Sequence, residues 1–473
     1  MKKFTKILLI GCLLVTVSCN NWLDVEPKSQ VKDKDLFASE MGFKEALSGV
    51  YSLMTKEALN GKELTFGRLG VLGQEWTSVP YNYEDDQKYD FENAASEVRI
   101  DSVWTGLYNA IANANKLLKE LEGKENLFSG DNYFIIKGEV LALRAYLHFD
   151  LLRIFGASCT VGMERIAIPY VTEYAPTIFP QEKVGDFVGK VLNDLQDAAK
   201  CLENDPILTG RTVSEIDDNG YLMNRQVHLN YYAVKGLMAR VYLYKGDYAN
   251  AEVCAKEVIG SGCFEWVKQE NLTNESVADL TFSTEHLFAL NIVTLGNIVD
   301  KYLDGGNNSF ALEESRLSEY YGSSYDYRYL YLFKTGVGMS NTLRYLKKYD
   351  QLESVSWAQS YRNKLPLICL PEMYYILAEC RYHSSGDVLE PLNEVCRHRG
   401  VADLSEADLS AFETLLLAEY RKEVIGGGQL FFQYKRLNRS VVPGTDVDLA
   451  GEGRYVIPMP KEELENPGWV SNQ

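Results

Sequence analysis

The sequence predicts a mainly α-helical chain in which helix pairs joined by tight glycine turns carry a loop-rich second region. Three observations predict it. Apolar residues recur at helical spacing over long stretches. Two of those stretches break at a Gly-Asp pair and resume as a second helix. Between them, segments 60–100 and 265–350 lose the period and gather Gly, Asn, Asp and aromatic residues.

Taken in order, Ser102 to Glu122 sets Val103, Leu107, Ile111, Ala114 and Leu118 on one helix face. Gly138 to Phe155 is strongly apolar on one side and stops at Gly156, a C-cap candidate. Val184 to Leu202 continues the pattern. Tyr231 to Ile259 holds two helices joined at Lys245-Gly246-Asp247, with small Ala239 and Ala251 beside Tyr242 and Tyr248. Small residues let paired helices approach closely while bulky ones fill the gaps, and this spacing resembles a tetratricopeptide repeat. A second pair spans Glu372 to Val395 and turns at Ser385-Gly386-Asp387. Helices 102–122 and 138–155 offer a looser third pair. Glu285 to Ile292 reads as a short strand. The repeats are dispersed, unlike an uninterrupted solenoid, which points to a helical frame with a loop-rich region packed on it.

The N-terminus fixes the expected compartment. Lys2, Lys3 and Lys6 precede an apolar run from Ile7 to Val17, too short for a membrane span. It ends in Val17-Ser18-Cys19, which resembles a bacterial lipobox. The resemblance implies a signal peptide of residues 1–18, cleavage before Cys19 and acylation of that residue. Several acyl chains anchor stably, at roughly 0.8 kcal/mol per buried CH₂. Residues 19–30 would form a tether, and 31–473 a single domain.

Composition narrows the function. The chain carries 48 basic and 66 acidic residues, a formal charge of −18, and loss of the leader makes it three units more negative. That field disfavours nucleic acid and polyanionic substrates. The 31 tyrosines supply amphipathic surface, although most are expected to pack between helices. Cys159, Cys201, Cys254, Cys263, Cys369, Cys380 and Cys396 are odd in number and show no CxxC, so neither a disulfide framework nor a zinc site is expected. A Cys254–Cys263 bridge is the one alternative the spacing leaves open. The five histidines lie far apart, and no HExxH, GxSxG, P-loop or GxGxxG occurs. Among so many carboxylates, adjacent pairs such as Asp85-Asp86 carry no information about glycoside hydrolysis. The expectation is no enzyme, no cofactor and no metal. Calcium at Glu215 to Gly220 is a weak alternative, since the closing glutamate of a calcium loop is missing.

Five stretches in order resemble the SusD/RagB family of outer-membrane lipoproteins. They are Cys19-Asn20-Asn21-Trp22-Leu23-Asp24 through Pro27; Arg144-Ala145-Tyr146 through Phe155-Gly156 and Ile168-Pro169; the Tyr231–Ile259 pair; Glu419 through Tyr434-Lys435-Arg436-Leu437; and Tyr455 through Pro460 with Glu463, Asn466 and Pro467. Two departures stand out. The aspartate usual near Lys435-Arg436 is absent, and a single glycine becomes Gly426-Gly427-Gly428. The resemblance implies a SusD-like fold, tetratricopeptide-like units under a loop-rich ligand face. It also implies capture of oligosaccharides, or of peptides in some members, for a SusC-type TonB-dependent transporter in the outer membrane. A helical scaffold that binds only protein partners is the remaining alternative, against which the insertions and aromatic loop argue.

Sugar chemistry filters the site. Pyranose C–H faces stack on aromatic rings while their hydroxyls pair with amides and carboxylates. The segment Gln74 to Asp85 combines an indole, two phenols and several such partners, and the resemblance places binding aromatics in this loop. Trp76, Tyr81 and Tyr83 are the expected stacking platform and Asn82 its polar partner; the alternative for each ring is core packing or an ordinary surface. Tyr302 and Asn307, in the turn-rich Tyr302 to Asn308, are a second expected contribution. Tyr320 to Tyr329 is richer in tyrosine, but its Asp326-x-Arg328 pair resembles a structural element of the family and is set aside.

Overall fold

The computed structural model describes residues 34–472 except 210–219, 275–277, 307, 337–341 and 352–360. The leader, Cys19, the 19–30 tether, Asn307 and most of the Glu215 to Gly220 stretch lie outside the described residues.

Ten helices build the frame, with other short helices between them, among the described residues: α1 (Glu40–Met54), α2 (Ala94–Leu121), α3 (Asn132–Phe155), α4 (Val184–Cys201), α5 (Tyr231–Lys245), α6 (Tyr248–Ile259), α7 (Leu370–His383), α8 (Leu389–His398), α9 (Phe412–Val424) and α10 (Leu430–Arg436). From α2 to α8 each packs on the next in chain order. The looser pair expected from 102–122 and 138–155 forms as α2 and α3. However, α3 is buried nearly all round, because α4 covers the side that α2 leaves open.

The turns follow from local chemistry. Asn230 accepts the Ala233 N–H at 2.9 Å to start α5, and Gly246 at φ +80° closes it in the left-handed conformation that glycine adopts without strain. Asp247 then accepts the Asn250 N–H at 3.2 Å to start α6. Between α7 and α8 it is Ser385, and not the neighbouring Gly386, that takes the positive φ. Asp387 accepts the N–H groups of Leu389 and Glu390 there at 3.0 and 3.2 Å.

Strand β1 (His286–Asn291), as expected from the 285–292 run, pairs antiparallel with β5 (Lys364–Cys369). A second sheet has the order β2-β4-β3, with β2 (Leu312–Glu313), β3 (Phe333–Thr335) and β4 (Leu343–Leu346). One contiguous core runs from Phe37 to Met459 and unites helices with loops.

Buried ion pairs lock this frame. Arg144 grips Asp194 through two bonds of 2.7 Å, which fixes α3 to α4. Arg328 is held by Asp326, Glu419 and Glu423, and Arg399 by Glu285 and Glu423. Arg436 makes a two-pronged pair with Glu379 at 2.7 and 2.8 Å. Lys435 donates to the carbonyls of Arg153 and Ile154 at the end of α3, the terminus where a cation is favoured. The stretch that lacks the usual aspartate is thus anchored on a helix terminus. Two of the three glycines have a backbone cause as well. Gly426 and Gly428 are left-handed, and a Cβ on Gly428 would lie 2.5 Å from the Leu64 carbonyl oxygen.

All seven described cysteines are free, with Cys254 buried and Cys263 exposed, so the open Cys254–Cys263 bridge does not form. No helix among the described residues is long and apolar enough to cross a membrane. No group of three or more His, Cys, Asp or Glu among them is placed to hold a metal.

Candidate functional site

The two irregular segments meet. Ser78 and Ala311 exchange backbone hydrogen bonds of 3.0 Å, and the Thr77 N–H donates to the same Ala311 carbonyl. The Glu313 N–H donates to Thr77 Oγ1 at 2.7 Å. The 76–83 loop is therefore stitched to the segment that leads into β2.

The base of that loop is closed by reciprocal amides. Gln74 Nε2 donates to the Gln87 carbonyl at 2.9 Å, and Gln87 Nε2 donates to the Trp76 carbonyl at 3.0 Å. Tyr89 OH donates to the Leu72 carbonyl at 2.8 Å. Gln74 sits at φ +53°, a conformation that costs a non-glycine residue energy, and Arg421 holds it through a 2.8 Å bond to its carbonyl. Asp86, fully buried, accepts from Ser96 Oγ at 2.7 Å and pairs with Arg99. Arg99 in turn donates to the Asn82 carbonyl at 2.6 Å and lies 4.2 Å from the Tyr83 ring centre.

Glu75 lies under this loop. The Gly426 N–H donates to its Oε2 at 2.7 Å, while Oε1 has no hydrogen-bond partner among the described residues. Burial pushes its carboxyl up to about 8, against the opposing pull of the Gly426 N–H and of Arg421 and Lys348.

The expected platform residues separate into a floor and a tip. Trp76, Tyr83 and Tyr302 are indeed brought together, but below the surface: all three rings pack around Phe310, at centroid distances of 5.9, 5.1 and 6.4 Å. Trp76 is 2% exposed and its Nε1 donates to the Phe66 carbonyl at 2.7 Å. Tyr83 donates to Glu63 at 2.7 Å and Tyr302 to Glu57 at 2.7 Å. These three are corrected from stacking residues to core residues, since rings only 1–5% exposed offer no face to a ligand. Tyr81 differs: at 85% it is the most exposed large apolar or aromatic side chain among the described residues. Asn82 beside it is exposed, although its backbone is pinned by Arg99. Asn307 lies outside the described residues.

Sequence reasoning missed Phe310, around which the floor is built. The only signal is a short apolar run, Phe310 to Leu312, more than two hundred positions from the Trp76 and Tyr83 rings it meets.

The result is an exposed phenol and an amide on a loop whose backbone is fixed from beneath. Such a tip can stack on an apolar ring face and hydrogen-bond its edge without first ordering itself, which lowers the cost of binding. No nucleophile–base arrangement lies among the residues that form it.

Comparison with known proteins finds a family model, a relative and two solved structures. Residues 21–243 match the SusD-like family model described as "Starch-binding associating with outer membrane". A SusD-like protein of Formosa agariphila is 25% identical over 269 residues, 56% of this chain, and the chain spans about half of that relative, 47%. A SusD superfamily protein of Bacteroides thetaiotaomicron superposes with a TM-score of 0.74 at 21% identity, covering 92% of this chain and 100% of the other. A laminarin-binding SusD-like protein superposes at 0.65 with 18% identity, covering 91% and 100%. The chain thus has the fold of the solved SusD superfamily proteins, and its N-terminal half is similar to the SusD-like family model.

Proposed function

We propose that the chain captures oligosaccharides at the cell surface and passes them to a SusC-type TonB-dependent transporter, without chemistry on them. In this reading residues 1–18 are a signal peptide, Cys19 carries the lipid, residues 19–30 are a tether, and 31–473 act as one ligand-binding domain at the outer membrane. The observation that carries it is Tyr81. An aromatic ring left in water on a rigidly held loop offers a stacking face that is ordered before any ligand arrives. Asn82 adds the amide that a sugar hydroxyl needs. The family description and the laminarin-binding neighbour support a glycan as the ligand.

The test is calorimetry of the mature, unlipidated protein against starch- and laminarin-derived oligosaccharides and a peptide panel. Saccharide binding that Tyr81→Ala weakens at least tenfold supports the reading. Binding of peptides alone moves the ligand class and leaves the capture role. Labelling of the wild type but not Cys19→Ser with a radioactive fatty acid tests the anchor, and co-purification with a TonB-dependent transporter tests the partner.

A further inference from the structure

A second cleft, of about 440 Å³, opens between α2, the segment around residues 169–179 and the C-terminal segment. Trp104 and Tyr108 line it from α2, Phe179 from the connecting segment and Trp469 from the C-terminus, with the amides of Asn109 and Asn466 at its edge. The polar handles of its rings all turn into the protein. Trp104 Nε1 donates to Glu463 Oε1 at 2.9 Å, Tyr108 OH to the Pro169 carbonyl at 2.9 Å, and Trp469 Nε1 to the Phe179 carbonyl at 3.2 Å. Those bonds fix ring orientation and leave part of the Tyr108, Phe179 and Trp469 rings to the cleft. Trp104, only 4% exposed, forms the floor, with its centroid 4.9 Å from Tyr108 and 6.5 Å from Trp469.

The lining chooses among ligands. It contains no lysine or arginine, and its one carboxylate, Glu463, already accepts bonds from Trp104 and Asn466. A charged ligand finds no counter-ion there. By contrast, the larger cleft beside Tyr89 is lined by Lys88, Arg454 and Lys461 as well as Glu92 and Glu97. A neutral ring with apolar C–H faces and a hydroxyl edge suits fixed aromatics rimmed by amides. The volume falls in the usual range for small-ligand sites, roughly 300–1,000 Å³. Along α2, Tyr108 lies nine residues beyond Arg99, which pins the Tyr81 loop. At a rise of 1.5 Å per residue that is roughly 14 Å.

We propose that this cleft is a second saccharide-binding subsite, separate from the Tyr81 loop, for a neutral glycan; it rests on the capture reading for the ligand class.

The test titrates the mature protein with laminarihexaose and with maltohexaose by calorimetry, in the wild type, Tyr81→Ala, Trp469→Ala and Thr105→Arg. Thr105 lines the cleft and is exposed, so an arginine there obstructs the opening without disturbing the core. The wild type is expected to show two binding events. Thr105→Arg and Trp469→Ala each weaken the same one at least tenfold and leave the event that Tyr81→Ala removes. If Trp469→Ala lowers the unfolding temperature, Thr105→Arg alone decides. Unchanged affinity and stoichiometry in Thr105→Arg overturn the subsite while the Tyr81 reading stands. Binding lost in Thr105→Arg but intact in Tyr81→Ala keeps the subsite and removes the Tyr81 reading. A wild type that binds neither hexasaccharide overturns both.

Discussion

In the α5–α6 pair every closure is made within a few residues: Asn230 caps one helix, Gly246 ends it and Asp247 starts the next. In the 74–89 loop the decisive closures come from far along the chain. Arg421 holds Gln74, Ala311 pairs with Ser78, and Phe310 gathers Trp76 and Tyr83. The two regions teach different lessons about aromatic residues. Tyr242 and Tyr244 point to opposite sides of α5 and are both buried because α4, α6 and α7 pack around that helix, whereas Trp76 and Tyr81, five residues apart on one loop, end in opposite environments.

The comparison is broken most severely in the frame. Arg399→Ala leaves Glu285 and Glu423 facing one another in the interior, and breaking such a pair costs about 3–5 kcal/mol. Denaturant unfolding should show that loss, and a change below about 1 kcal/mol would mean the carboxylates are solvated.

Glu75 gives a pH signature beneath the loop. Its carboxyl is held at about 8 against an ordinary glutamate value of 4.5, so between those values the native state keeps a proton that the unfolded state releases. The native state then binds more protons, and stability falls as pH rises through that window. Glu75→Gln has no such titration. Its stability relative to wild type should rise from pH 5 to pH 9, by about 4 kcal/mol, in thermal melts at both pH values. A difference that does not change with pH contradicts the shift.

Trp76→Phe keeps a ring against Phe310 but leaves the Phe66 carbonyl unpaired, a cost of about 1–2 kcal/mol with no change in glycan affinity. A loss of affinity at intact fold would return Trp76 to the site. Gly246→Ala is the mildest change. No atom lies within 4 Å of the added Cβ, so only the left-handed backbone is penalised, by about 1 kcal/mol. A much larger drop would reveal packing at that turn.

The same contrast explains what the sequence made legible. The α5–α6 and α7–α8 pairs, their turns and strand β1 could be read because period and capping are local. The burial of α3 on every side could not, since it depends on α4 arriving opposite α2. For the site, the loop and its residue types were readable, but the direction of each ring was not. Trp76, Tyr83 and Tyr302 converge on Phe310 through contacts that only the folded chain creates, and so of the expected site residues that are described Tyr81 and Asn82 reach the surface. The Trp104–Trp469 cleft likewise joins residues from opposite ends of the chain.

The most direct measurement compares Tyr81→Ala with Trp76→Phe in laminarihexaose calorimetry, with thermal unfolding alongside. The account predicts that Tyr81→Ala keeps its unfolding temperature and weakens the Tyr81-dependent event at least tenfold. Trp76→Phe should melt earlier and bind as the wild type does. The reverse pattern, affinity lost in Trp76→Phe and kept in Tyr81→Ala, would contradict the division of this loop into a structural floor and a binding tip.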